Sequence, residues 1–253
     1  MLRSAWAWLS ITVLIIVWIP VMAITHLLDR KDPGKYATGR QFRRLGYLMA
    51  AANPAWSIQI SGSYPESMRN PYVVVCNHQS LADIPIVSRL PWDMKWVGKA
   101  SLFKLPVLGW MMRVAGDIPV SRGDRRSRAQ VMIDTKERLQ QKVSVMIMPE
   151  GTRSPDGRVG EFNDGAFKLA LKLGIPVLPI ALDGSFDALP KNGWMFGEGS
   201  PIHLHVFDPI LPEEWIEDGT ALCEHVRKLI VDQIAEWRGV DPGEVDSLAM
   251  ISA

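Results

Sequence analysis

Tyr72-Val73-Val74-Val75-Cys76-Asn77-His78-Gln79-Ser80-Leu81-Ala82-Asp83-Ile84-Pro85 is the segment from which the rest of the chain can be read. The β-branched run that opens it has the composition of a short buried strand. Pro85 fits a helix only within its first turn, so a helix begins just ahead of it. His78 then falls on a strand-to-helix turn, with Asp83 near the helix start. A turn of that kind can bring the carboxylate back onto the imidazole. A carboxylate on one ring nitrogen fixes the tautomer and leaves the other nitrogen free to take a proton. The pair would be a general base with its orienting group, and no nucleophile lies between them. On these residues alone a plainer reading stays open: a hydrogen-bonded structural histidine and an aspartate that caps a helix.

Outward from this turn the chain alternates strands and helices. Residues 56–60, 72–75, 95–97, 118–120, 143–148, 177–182 and 202–207 read as strands. Residues 124–141 and 164–173 read as helices, and a last helix runs over 212–237 with a break at Gly219. That order predicts an α/β fold, a single sheet covered by helices, with chemistry at the strand-to-helix turns. No repeat or second domain is visible. The expected organisation is a membrane-associated helical segment (1–55), an α/β domain (56–238) and a poorly ordered tail (239–253).

At 253 residues and net charge +1 the chain carries no global field that points to nucleic acid. Two distant cysteines, Cys76 and Cys223, give neither a disulfide framework nor metal-ligand spacing. Ten tryptophans and twelve methionines point instead toward lipid or another apolar ligand. Residues 4–28 are uncharged and apolar, about 37 Å as a helix against a hydrocarbon core of about 30 Å. A cleaved leader, a plain span and an embedded helix are the three readings, with Pro20 and His26 favouring the last. Over 36–52, Phe42, Leu45, Met49 and Ala52 share one helical face, and Arg40, Arg43 and Arg44 fall on the other. This predicts a basic amphipathic helix in the membrane interface, with a helix packed on the domain core as its alternative. The excess of Lys and Arg after the apolar run places the remainder of the chain in the cytoplasm, on an inner-membrane type of surface.

Three further segments carry chemistry. Pro149-Glu150-Gly151-Thr152-Arg153-Ser154 follows an apolar strand. There Glu150 can accept from a hydroxyl, Gly151 lets the backbone come close, and Arg153 can hold phosphate oxygens. Gly116-Asp117-Ile118-Pro119-Val120-Ser121-Arg122 also ends a strand with an arginine. Arg125, Arg126 and Arg128 follow it and read as a solvated helix face. Ile175-Pro176-Val177-Leu178-Pro179-Ile180 reads as an edge strand or a groove wall, because of its two prolines. There is no Gly-x-Ser-x-Gly elbow and no phosphate-binding loop of the Walker type. His203 and His205 lack a third ligand and read as structural or exposed.

Together these segments resemble the glycerolipid acyltransferases, most closely the lysophosphatidic acid acyltransferases. The Asn-His-x-x-x-x-Asp block, the second block at 116–122, the Pro-Glu-Gly-Thr-Arg-Ser block and the proline-bearing fourth block occur in order. Phe162-Asn163-Asp164-Gly165-Ala166-Phe167-Lys168 is similar to a further segment of that family. Pro119 and Ser121 depart from the family's usual aromatic and acid. The resemblance implies transfer of an acyl group from acyl-CoA or acyl-carrier protein to the free hydroxyl of lysophosphatidic acid, giving phosphatidic acid. It implies His78 as base and Asp83 as its partner, and a substrate site of Arg122, Glu150, Gly151, Thr152 and Arg153. No cofactor or metal is expected, and membrane lipids are the implied surroundings. Lyso-ornithine lipid or lysophosphatidylglycerol would serve the same chemistry as acceptors, and a lipid-binding adaptor is the non-catalytic alternative. The apolar stretch over 102–111 reads equally as an acyl-chain groove or as ordinary core.

Overall fold

The computed structural model describes residues 1–65, 67, 69–121, 123–190, 193–197, 201–215 and 218–249. Seven strands, β1 (Ser57–Gly62), β2 (Val73–Cys76), β3 (Met94–Lys99), β4 (Ile118–Val120), β5 (Ser144–Ile147), β6 (Val177–Asp183) and β7 (Pro201–Val206), form one sheet in the order β1-β7-β6-β2-β5-β3-β4. All neighbours are parallel except β6 and β7. The helices are α1 (Leu2–Leu28), α2 (Tyr36–Ala51), α3 (Asp83–Val87), α4 (Pro106–Ala115), α5 (Arg125–Gln140), α6 (Gly165–Leu173), α7 (Ser185–Ala188), α8 (Gly219–Arg238) and α9 (Pro242–Val245).

Each expected strand is present, and the two-residue period of β2 divides the core. Val73 and Val75 pack with residues of α5, α6 and α8 on one face of the sheet. Val74 and Cys76 pack with Ile86 of α3, Trp92 and Leu178 on the other. Burial on both faces is what the unbroken apolar run of β2 requires. The expected edge strand around Pro179 is a correction: β6 lies inside the sheet, between β7 and β2, and is buried throughout. The Pro179 carbonyl accepts from the Phe207 N–H on the β7 side. The N–H that proline lacks would point to that same side, just past the end of the β6–β7 ladder at Ile180–Val206. An interior strand tolerates the proline there because no ladder bond is lost.

A separate small core joins the N-terminal helices to the domain. Met22 of α1, Leu45 of α2, and Met111 and Ala115 of α4 meet there, with Trp18 and Phe42 at the margin. Helix α2 does not present its three arginines as one solvated face. Arg44 is exposed, whereas Arg43 is buried and donates from Nη2 to both carboxylate oxygens of Asp117, at 2.9 and 2.8 Å. Asp117 also accepts from the Trp96 N–H at 3.0 Å. Beside them Lys95, fully buried, pairs with Asp93 and donates to the Lys35 carbonyl. Burial pushes the Asp93 carboxyl up, and Lys95 and Arg43 oppose that shift. Asp117, the acid of the second block, thus docks α2 on the sheet, and α2 lies against α1, α3 and α4.

The last helix is divided as its glycine foretold: a 3-10 turn over Pro212–Trp215, then α8 from Gly219. Of the tail expected over 239–253, the described residues 240–249 make defined contacts, and residues 250–253 lie outside the described residues. Asp241 caps α9, Val245 is fully buried, and Asp246 forms a parallel bridge with Val159. One buried valine and one bridge are enough to hold so short a strap.

Candidate active site

Strands β2 and β5 are adjacent and parallel, with Val75 beside Ile147. The same register carried past the strand ends sets His78 beside Glu150, which is the crevice where α/β sheets place their ligands. Asn77 finishes β2 by imitating the ladder with its side chain. Its Nδ2 donates to the Leu182 carbonyl at 2.8 Å, and its Oδ1 accepts from the Leu182 N–H at 2.9 Å. The turn that follows is wound around Asp83. One oxygen, Oδ2, accepts from His78 Nδ1 at 2.7 Å, the Gln79 N–H at 2.9 Å and the Ser80 N–H at 3.0 Å. Asp83 is fully buried and His78 nearly so.

A carboxylate only accepts, so the bond to Oδ2 puts the imidazole proton on Nδ1 and leaves Nε2 as the acceptor. Asp83 therefore both winds the turn and orients the ring; it does not cap α3, whose cap position is Ala82 with no side-chain bond. His78 is also gripped through its backbone. Its N–H donates to Glu150 Oε1 at 2.7 Å, and its carbonyl accepts from the Ser154 N–H at 2.7 Å. Gln79 adds a brace, donating to Asp183 and to the Gly157 carbonyl while accepting from Ser185.

Glu150 lines the cleft and also holds backbone, a role its sequence did not suggest. Both carboxylate oxygens are engaged by backbone, Oε1 by His78 and Oε2 by the Gly160 N–H at 3.0 Å. Burial pushes its carboxyl up to about 7, against the lowering effect of those two N–H groups. Gly151 has φ +68°, a left-handed conformation that a side chain would strain, so the glycine turns the chain. Thr152 and Arg153 then line an open cleft of ≈ 370 Å³ together with Glu150, Arg158, Asn163 and Ser247. Ser154 and Glu150 belong both to this cleft and to the grip on His78, so the two adjoin. Arg122 lies outside the described residues. In the stretch over 102–111, Phe103 and Met111 are core, whereas Leu105 and Val107 are exposed. His203 stacks on Trp237, and His205 bonds Ser61.

Sequence reasoning did not find the roles of Asn77 and Gln79, or the brace from the C-terminal helix. Arg238 donates to Asp183 and to the Gly157 carbonyl, and Arg227 to the Gly160 carbonyl. Only the amide side chains at 77 and 79, buried beside the histidine, could have signalled any of this.

The fold and the site define an α/β protein with a histidine oriented by an aspartate at the carboxyl ends of its central strands. The acyltransferase family model matches residues 57–183, and the chain belongs to that family. The chloroplastic 1-acyl-sn-glycerol-3-phosphate acyltransferase of Brassica napus is 34% identical over 168 residues, 66% of this chain and 48% of its own length. The 1-acyl-sn-glycerol-3-phosphate acyltransferase of Cocos nucifera is 30% identical over 243 residues, 92% of this chain and 75% of its own. The chain spans about half the length of the curated chloroplastic relatives it matches. The crystal structure of the 1-acyl-sn-glycerophosphate acyltransferase PlsC from Thermotoga maritima superposes with a TM-score of 0.79 at 26% identity, covering 94% of this chain and 95% of that one.

Proposed function

We propose that this protein is a membrane-associated O-acyltransferase that acylates lysophosphatidic acid to phosphatidic acid in phospholipid synthesis. The observation that carries the reading is the buried His78–Asp83 pair, 2.7 Å apart, beside the cleft of Thr152 and Arg153. The names of the relatives and of the structural neighbour support the substrate.

His78 Nε2 takes the proton of the acceptor's free hydroxyl as that oxygen attacks the thioester carbonyl of acyl-CoA or acyl-carrier protein. The new C–O bond forms, the C–S bond breaks, and the proton passes on to the departing thiolate. Asp83 keeps the tautomer correct and stabilises the imidazolium. Arg153, with Thr152, holds the glycerol phosphate in the cleft, and Arg122 is a further phosphate-binding residue in this reading. Glu150 acts by fixing His78 through its backbone.

The apolar helix α1 is embedded from one side of the bilayer. Near its start the Phe196 N–H donates to Ser4, and Trp8 donates to the Trp194 carbonyl. Toward its end Trp18 donates to the Gln41 carbonyl. Asp29, just beyond, accepts from Thr38. A span tied to one polar domain at both ends would drag that domain into hydrocarbon. Trp6, Leu9, Val13, Ile16 and Val17 remain exposed for lipid. The domain then faces the cytoplasm.

Purified protein in detergent, supplied with 1-acyl-glycerol-3-phosphate and each donor in turn, is expected to form phosphatidic acid. A folded His78→Ala variant is expected to form none. Equal product from both would remove His78 from the chemistry. Product from lysophosphatidylglycerol alone would reassign the acceptor.

A further inference from the structure

The family match ends at residue 183, yet one wall of the cleft comes from the far C-terminus. The strap over 241–249 lies alongside Val159 as a short parallel strand. The Val159 N–H donates to the Val245 carbonyl at 3.0 Å, and the Ser247 N–H donates to the Val159 carbonyl at 3.2 Å. The Ser247 hydroxyl donates to that carbonyl as well, at 2.9 Å. Arg227 of α8 locks the arrangement. Its fork grips Asp246 at 2.6 and 2.9 Å, while Nε donates to the Gly160 carbonyl at 2.7 Å and Nη2 to that of Val159 at 3.0 Å. Paired, planar bonds of this kind fix orientation as well as position. On its other side the Gly160 N–H holds Glu150, and Glu150 holds His78. Segment 159–160 is thus shared by the strap and the His78 turn, and Ser247 reaches the cleft from the strap's side.

We infer that this strap, presented through Ser247 and locked by the Arg227–Asp246 pair, is a specificity-determining wall of the acceptor cleft. It sets the size of the group that the acceptor's phosphate may carry. The inference rests on reading the cleft as the acceptor's phosphate site. At ≈ 370 Å³ the cleft is at the small end for a ligand site, so its walls decide which headgroup enters. On this inference a phosphate monoester lies beside Ser247, and a phosphodiester carrying a second alcohol is disfavoured there by the strap. Ser247 is partly exposed, so changing it leaves the buried anchor Val245 untouched.

The test is steady-state kinetics on the full chain in mixed micelles, with lysophosphatidate and lysophosphatidylglycerol as acceptors. Ser247→Trp is expected to raise the KM for lysophosphatidate about tenfold while the KM for the acyl donor stays within about twofold. Ser247→Gly is expected to lower the preference for lysophosphatidate over lysophosphatidylglycerol about fivefold. A strap that only braced the fold would move thermal stability and leave the preference alone. Arg153→Ala serves as the control on the cleft. If it raises the acceptor KM while both Ser247 variants keep wild-type acceptor KM and preference, the strap is not a specificity wall. If none of the three moves the acceptor KM, the cleft is not the acceptor's, and the inference falls with it. Should Ser247→Trp fail to fold, the preference of Ser247→Gly decides alone.

Discussion

His78 and Asp83 make the sharpest expectations at the residue scale. Asp83→Asn can keep an oxygen at the position that accepts from His78 Nδ1 and from the Gln79 and Ser80 N–H groups, but it removes the negative charge that stabilises the imidazolium. Acyl transfer is expected to fall about 10³-fold or more, with the circular dichroism melt close to wild type. Glu150 gives a prediction in pH. Its carboxyl is raised from 4.5 to about 7 by burial, so between those values the folded chain binds more protons than the unfolded one. Its contribution to stability is therefore full below about pH 4.5 and is lost as pH rises through about 7, a change of about 3 kcal/mol. Denaturant titrations of wild type and Glu150→Gln at several pH values measure it. The wild-type advantage should shrink as pH rises; a flat difference would mean that Glu150 is charged throughout.

Among the elements, the docking of α2 depends on one ion pair and one glycine. Arg43→Met leaves Asp117 buried with the Trp96 N–H as its sole remaining partner among the described residues. Breaking a buried pair from one side costs about 3–5 kcal/mol, which a thermal melt in detergent would show as a large fall in Tm. Gly39 of α2 lies against Asp93 and Lys95 so closely that a Cβ would overlap both side chains. Gly39→Ala is expected to loosen the same joint and to lower Tm, with residual activity falling in parallel. An unchanged melt for both variants would show that the helices α1 and α2 are not held by this charge cluster. The arginine periodicity of α2 was legible in its sequence. Its burial was not, because the partner Asp117 lies 74 residues away.

For the whole molecule, the decisive question is how α1 meets the bilayer. Both native cysteines are buried, so single cysteines introduced as Trp6→Cys and Leu28→Cys can be labelled against a low background. In sealed inverted vesicles, a membrane-impermeant maleimide added outside should treat the two positions alike. Labelling at one end with full protection of the other would establish a span. The seven strands and the longer helices α1, α2, α5, α6 and α8 followed from hydrophobic period and from glycine and proline punctuation, which are local signals, whereas the helix α4 was read only as an apolar stretch. The strap after Gly239 escaped such reading, since one buried valine in a polar tail has no period.

By itself the sequence determined the seven strands, the α/β class and the pairing of His78 with Asp83. Strand composition and the turn from Asn77 to Asp83 are properties of neighbouring residues, and a five-residue separation allows few geometries. The tertiary structure alone decided what Glu150 holds, why Asp117 is acidic, that β6 is interior, and that the C-terminus reaches the cleft. Each of these depends on which strands lie side by side and on pairings across tens of residues, such as Arg227 with Gly160. Chain closure over such distances is set by the packing of the whole core, and no local pattern encodes it.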